Sequence, residues 1–440
     1  MKLTRLLNRK IGKADIFLLF LCFSSTTAFS QNVKHYTLDE LIHSAYVNYP
    51  YAGQLDLTKK QNYESVKSIN TTWLPQISVL GKTSYQSEVT SISIPASLEQ
   101  KMGFSIAGGD KFQYQGQVGI SQLIYDGGMT KTQKEITNIN NGIQENQIKS
   151  SMLQVEDNIN SLFEAILINK EQTKIINFQQ RDLEMRKQDI SYAIQNGISL
   201  KTDMQEIDAD LIQLKQQKTS LCMQLCQYFV QLSSFTQQHI DTTAVLDFPQ
   251  FTYIADNNYS GRPDYQIFGQ QIKSSNYQMK KLNQEILPQI SMFADGYYGR
   301  PGLNAMDYST HSSGIVGISL SWNVSSLYDN THKKKLVNIN RDFVKNNQSI
   351  YEINMEKQIE NLKIDLLKNK DLMNSDDNIV AIRSNVKDVA AIQLKNGSIT
   401  LTDYLIKLND VSQAMINKSI HKIELSMDGA KMKTLLNKNN

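Results

Sequence analysis

Cys222 and Cys226 are the residues best suited by type to hold a metal, and they stand four apart in a stretch of helical periodicity. A structural zinc site takes four ligands, and no second cysteine pair is present to complete it. His35, His43, His239, His311, His332 and His421 show no ligand spacing. No glycine-rich phosphate loop follows a strand-like segment, and no serine sits in a nucleophile elbow. Catalytic, metal and cofactor sites are therefore not expected, and the two cysteines read as small buried hydrophobes. The chemistry left is that of carboxylates in a repeat: Asn196, Gly197, Thr202, Asp203 and Asp210 recur 200 residues later as Asn396, Gly397, Thr402, Asp403 and Asp410. Such acids either share one face, where their combined field favours cations, or lie on a solvated helix surface.

A second repeat frames these turns. Leu74, Pro75, Gln76, Ile77 and Ser78 return as Leu287, Pro288, Gln289, Ile290 and Ser291, each time ending a helix-like stretch and opening a strand-like one. Two structural repeats are expected, residues 31–240 and 263–440, each reading helix, strand, strand, long helix, sharp turn, returning helix. Residues 241–262, polar and carrying Pro249 and Gly261, read as the linker between them.

Residues 1–30 have the form of a secretory signal. Lys2, Arg5, Arg9, Lys10 and Lys13 precede an apolar run at 16–23, and Ala28, Phe29 and Ser30 form the cleavage site. Cys22 suggests a lipoprotein, but Leu21 stands before it where a small residue is expected. Removing five basic residues and the acidic Asp15 lowers the formal charge of +3 by four, to −1. No basic footprint for nucleic acid remains. Past residue 30 no apolar run reaches the roughly eighteen residues that a transmembrane helix needs.

The helical stretches are long. From 129 to 196 only Gly142 interrupts the pattern, and Ile136, Ile139, Ile143, Ile148, Met152 and Val155 keep one apolar stripe on one face. At 1.5 Å per residue this stretch is about 100 Å long, and its counterpart 336–395 about 90 Å. The shorter stretches 38–73 and 199–239, stacked end to end, match the first long helix, and 264–287 with 400–437 match the second. Long helices alternating with stacked short ones suggest a cylinder wall.

The strand-like segments differ in kind. Lys111, Gln113, Gln115 and Gln117 alternate with Phe112, Tyr114, Gly116, Val118 and Ile120, a lipid-out, water-in pattern. Ile77 to Tyr85 and Val316 to Trp322 alternate similarly, with Tyr85, Tyr125, Tyr297, Tyr298 and Trp322 as interfacial aromatics. Four strands cannot close a barrel, and open sheet edges are not tolerated in lipid, so the barrel must be shared between chains. Eight strands from a dimer give a filled interior, whereas twelve from a trimer leave a water-lined passage.

These repeats, the Gly-Ile-Ser-Gln-Leu-Ile-Tyr-Asp-Gly-Gly segment from Gly119 to Gly128, the Arg262, Pro263, Asp264 start of the second half and the two Asn-Gly turns resemble the TolC-type outer-membrane efflux proteins. The resemblance covers the chain from Tyr36 to about Leu436. It implies a mainly α fold with a transmembrane β-barrel: a homotrimer with four strands per chain in a shared twelve-stranded barrel, and a long antiparallel coiled-coil tunnel. It implies an outer-membrane location reaching into the periplasm, and export of small molecules or proteins with a periplasmic adaptor and an inner-membrane pump. Gly197, Ile198, Gly397 and Ser398 match the adaptor-facing turns, and Asp203 and Asp403 match acidic residues of the channel gate. Two positions depart from the family. Ile399 stands where an Arg locks the closed tip, and Ile406 where a second acid is found. Local chemistry alone predicts that Gly197 and Gly397 end helices in the left-handed conformation and that Ser199 or Thr400 caps the next. The loops at 86–110 and 300–313 are expected on the cell exterior. A soluble periplasmic coiled-coil adaptor would also give long hairpins, but has no need of amphipathic strands with polar interiors; a secreted enzyme on a helical scaffold lacks a site.

Overall fold

The computed structural model describes residues 34–89, 100–101, 109–250, 257–304, 307 and 309–438. The leader at 1–30, with Cys22, and most of the 86–110 loop lie outside the described residues.

A two-residue strand β1 (His35–Tyr36) opens the chain and is followed by α1 (Leu38–Asn48). Thr37 and Glu40 close a reciprocal box at its start: the Glu40 amide donates to Thr37 Oγ1 at 3.2 Å and the Thr37 amide to Glu40 Oε2 at 3.0 Å. The helix expected over 38–73 is broken at Tyr49, which is extended, because proline at position 50 disfavours helical backbone in the residue before it. α2 (Pro50–Asn70) and a single 3₁₀ turn (Thr71–Trp73) then lead to β2 (Gln76–Tyr85) and β3 (Phe112–Tyr125).

The change from strand to the long helix α3 (Met129–Gln195) is made at Asp126, Gly127 and Gly128. Both glycines have positive φ, at 68° and 85°. Asp126 accepts from the amides of Gly128 at 2.8 Å and Thr130 at 2.6 Å, satisfying donors that the new helix leaves free. α4 (Lys201–Thr236) returns along α3. A short strand β4 (Val245–Leu246) pairs in parallel with β1. The segment expected to be a polar linker therefore contributes Ala244 and Leu246 to the core, both buried.

The second half repeats the order with α5 (Pro263–Gln284), β5 (Gln289–Arg300), β6 (His311–Ser321), α6 (Ser326–Lys395) and α7 (Leu401–Leu435). α6 starts ten residues earlier than the apolar periodicity alone indicates. At the first joint between short helices, the Ser44 hydroxyl of α1 donates to the Thr236 carbonyl of α4 at 3.0 Å. At the second, Arg262 at the start of α5 donates to the carbonyls of Thr434 and Leu435 in α7, at 3.2 and 2.8 Å. These contacts satisfy helix-end carbonyls that have no partner in their own helix. Two apolar cores follow the bundle. Ile159, Phe163, Ile166, Phe229, Leu232 and Met427 hold the first, and Leu183, Ile190, Ile207, Tyr404, Leu408 and Val411 the second.

The four long strands form one antiparallel sheet, β2-β3-β5-β6. Residues opposite one another share a face, so the register sorts the side chains. Val79, Val118 and Gly296 align on one face, as do Ile77, Ile120, Ala294 and Val316, with Met292 opposite Ile318. On the other face Lys82 stands opposite Gln115, and Gln117 opposite both Leu80 and Tyr297. The chain's own helices cover neither face of β2, and Val79 is 79% exposed and Val316 77%. Tyr297 corrects the aromatic expectation, because it lies on the polar face with its hydroxyl 3.4 Å from Asp295, while Tyr85, Tyr298 and Trp322 are exposed.

Candidate functional site at the paired helical turns

The two Asn-Gly turns share one backbone design. After α3 the Gly197 amide donates to the Ile194 carbonyl at 3.0 Å and the Ile198 amide to the Ala193 carbonyl at 2.8 Å. After α6 the Gly397 amide donates to Leu394 at 3.0 Å and the Ser398 amide to Gln393 at 2.9 Å. This is the Schellman arrangement, which requires a left-handed residue at the glycine, and φ is 75° at Gly197 and 68° at Gly397. The turns come together: a Cβ placed on Gly397 would stand 3.8 Å from Ile198 Cγ2. Ile198 is nevertheless 64% exposed, and Leu200 beside it 69%.

The helices that leave the turns start differently. Thr400 caps α7, with the Asp403 amide donating to Thr400 Oγ1 at 3.1 Å and the Thr400 amide and hydroxyl donating to Asp403 Oδ2 at 3.1 and 2.7 Å. These bonds from Thr400 hold the Asp403 carboxyl below the usual carboxylate range. In the first half the cap position is Leu200, not Ser199, and a leucine offers no oxygen. Only half of the box is made, by the Leu200 amide donating to Asp203 Oδ2 at 3.0 Å. Asp203 and Asp403 are thus helix-start acids within each hairpin, and no contact joins them in one chain. The hairpins meet just beyond, where Thr402 Oγ1 lies 3.5 Å from Glu206 Oε1.

Asp210 and Asp410 diverge despite their matched positions. Asp410 pairs with Arg383 of α6 at 2.8 Å. Asp210 lines a polar groove with Gln213, Gln217, Gln179 and Asn409, and burial pushes its carboxyl up. Ile399 packs with Leu394 into the second core, whereas Ile406 is 50% exposed.

A buried polar cluster that sequence reading missed lies beside this core. Asp182 of α3 accepts a hydrogen bond from the Tyr404 hydroxyl of α7, and Lys387 Nζ of α6 lies 3.4 Å from the same carboxylate. Asp182 is 3% exposed and Tyr404 fully buried. Burial, together with the neighbouring Asp182, pushes the Tyr404 hydroxyl far above its ordinary range, so it stays protonated and donates. Lys387 also reaches Asp388 at 3.0 Å and stands over the Phe178 ring. The sequence signal is a charge beside an apolar heptad, since Ile176, Leu183 and Ile190 are all buried and Asp182 adjoins them.

Elsewhere, Cys222 is exposed and Cys226 half-buried, so Cys222 is not the buried hydrophobe its type suggests. Asp307, Ser309 and His311 cluster before β6, but both partners touch the same ring nitrogen, His311 Nε2, at 2.6 Å. A serine relay needs the acid on the other nitrogen. Among the described residues no group of three or more His, Cys, Asp or Glu stands where it could hold a metal ion, and no helix is long and apolar enough to cross a membrane.

No family model and no curated protein matches the sequence. Solved structures do match. CusC, described for its folding and transmembrane channel formation, aligns over 91% of this chain and 91% of its own with a TM-score of 0.74 at 12% identity. The outer membrane protein VceC of Vibrio cholerae aligns over 90% and 95% with a TM-score of 0.69 at 12% identity. The outer membrane channel CmeC of Campylobacter jejuni aligns over 91% and 85% with a TM-score of 0.70 at 13% identity. The chain has the fold of the TolC-type outer-membrane channels. In that channel fold the paired turns form the end of the helical hairpins remote from the sheet.

Proposed function

We propose that the chain is the outer-membrane duct of a tripartite export system, passive itself and supplied by an inner-membrane pump through a periplasmic adaptor. One observation carries this reading: an antiparallel sheet apolar on one face and polar on the other, uncovered on both, continues into two helices of 67 and 70 residues. An apolar sheet face left in water would be an association hazard, whereas in lipid it is the required outer wall. Three copies would supply twelve strands to a shared barrel, with the helices as its periplasmic tunnel. Residues 1–30 act as the export leader, and residues 241–262 join the repeats 31–240 and 263–440. Gly197, Ile198, Gly397 and Ser398 form the adaptor-docking surface, and Asp203 and Asp403 line the gate.

The rival reading, a soluble periplasmic coiled-coil adaptor or structural protein without a barrel, leaves exposed Val79, Val118, Val316 and Ile318 without a purpose. Fractionation and bilayer recording separate the two. The duct reading predicts recovery with sarcosyl-insoluble outer membrane and discrete conductance steps from purified protein in planar bilayers. A sarcosyl-soluble protein giving no conductance overturns it.

A further inference from the structure

The chain runs out of its own neighbours on the same two flanks at every level. In the sheet, β2 and β6 each keep one unpaired edge. Beside the sheet α2 packs on α3, α3 on α5 and α5 on α6; further along α4 packs on α3, α3 on α7 and α7 on α6. One flank is therefore β6 running into α6, and the other is β2 with α2 and α4.

Both flanks are apolar with coiled-coil spacing. On α6 the exposed residues Leu372, Ile379, Ile382, Val386 and Val389, with exposed Ser375, follow steps of three and four. Nearer the sheet Leu336, Ile339, Phe343, Ile350 and Ile353 keep the same alternation, with exposed Asn346 between. On α4 exposed Thr219, Met223 and Val230, with half-buried Cys226, do likewise. An a/d stripe of this kind is a seam that needs a facing helix.

We infer that the facing helix is α4 of a second copy of this chain, so that α6 of each copy seats on α4 of the next in a head-to-tail ring. The proposal rests on the duct reading above. Pairing the free edge of β6 with the free edge of β2 from the next copy removes both edges from lipid. It also sets α6, which follows β6, beside the column of α2 and α4, which flanks β2. Such a contact joins two different surfaces and closes only as a ring.

The level of the seam follows from contacts inside the chain. His421 of α7 pairs with Asp376 of α6 at 2.9 Å, and Asn369 of α6 bonds Asp428 at 3.0 Å. The 200-residue repeat places Cys222 on α4 where residue 422 stands on α7. Cys222 of one copy is therefore level with Ser375 of its neighbour.

The test is a single substitution, Ser375→Cys, in the full chain in its membrane, oxidised with copper phenanthroline and run without reductant. The seam predicts bands of two and three chains, lost when Cys222→Ser and Cys226→Ser are added. Asn346→Cys, on the same stripe but about 40 Å nearer the sheet, should give no such bands. If Ser375→Cys forms no cross-link while the native complex still weighs three chains, the seam is overturned and the duct reading stands. Cross-linking through Asn346→Cys overturns the register, and a monomeric particle overturns seam and duct together.

Discussion

The Tyr404 hydroxyl on α7 donates to the carboxylate of Asp182 on α3, and this buried contact joins the first helical hairpin to the second beside the paired turns. Lys387 of α6 offsets the carboxylate's charge at 3.4 Å. Removing the hydroxyl leaves Asp182 desolvated with one partner fewer, a loss of about 1–3 kcal/mol. Tyr404→Phe should therefore speed amide exchange around residues 182–190 and 400–408 and lengthen open times in planar bilayers, because this end is the one proposed to close. Unchanged exchange and open times would show that the contact does not hold the hairpins together.

A β-branched residue at either turn glycine meets a different obstacle. Gly197 and Gly397 have positive φ, which costs a residue with a Cβ about 1 kcal/mol or more. Gly197→Val and Gly397→Val should abolish export in a growth or efflux assay while trimer amount and membrane location stay normal. Normal export by both variants would remove the turns from the docking surface.

The acids at the helix starts carry a prediction in two parts. Asp403 is held below the usual carboxylate range by Thr400. A depressed folded-state pKa contributes stability that is present above the unfolded value, about 3.9, and lost as pH falls through the folded one. Protection of amides at 401–406, corrected for intrinsic rates, should stay level from neutral pH to about 5 and then fall, with the fall starting at higher pH in Thr400→Ala. In bilayers Asp203→Asn with Asp403→Asn should reduce cation selectivity and block by trivalent cations. Unchanged selectivity would leave both acids with the local capping role alone.

How much of this was legible beforehand depends on the range of the interaction. Strand faces and helix lengths follow from local periodicity, so Phe112, Val118 and Ile120 sort from Gln113, Gln115 and Gln117 without any tertiary information. The glycine turns are equally local, since an Asn-Gly pair after a long apolar stripe has few other conformations. Tyr404 and Asp182 are 222 positions apart, and nothing in either segment names the other. Arg262 was read as a mark of the second half's start, but its role at the carbonyls of Thr434 and Leu435 appears only when α7 ends beside α5. Tyr49 before Pro50 was a local signal passed over, and Ser199 was preferred as a cap on residue type although the repeat places the cap at position 200.

The central claim is that the sheet is one part of a barrel shared between copies. Native mass spectrometry of the full chain, extracted from its membrane and released from detergent, measures this most directly. The account predicts a complex of three chains and no stable single-chain species. A monodisperse single chain whose strand amides at 112–125 and 289–300 remain protected from exchange would contradict it, because those edges could then be satisfied without a second copy.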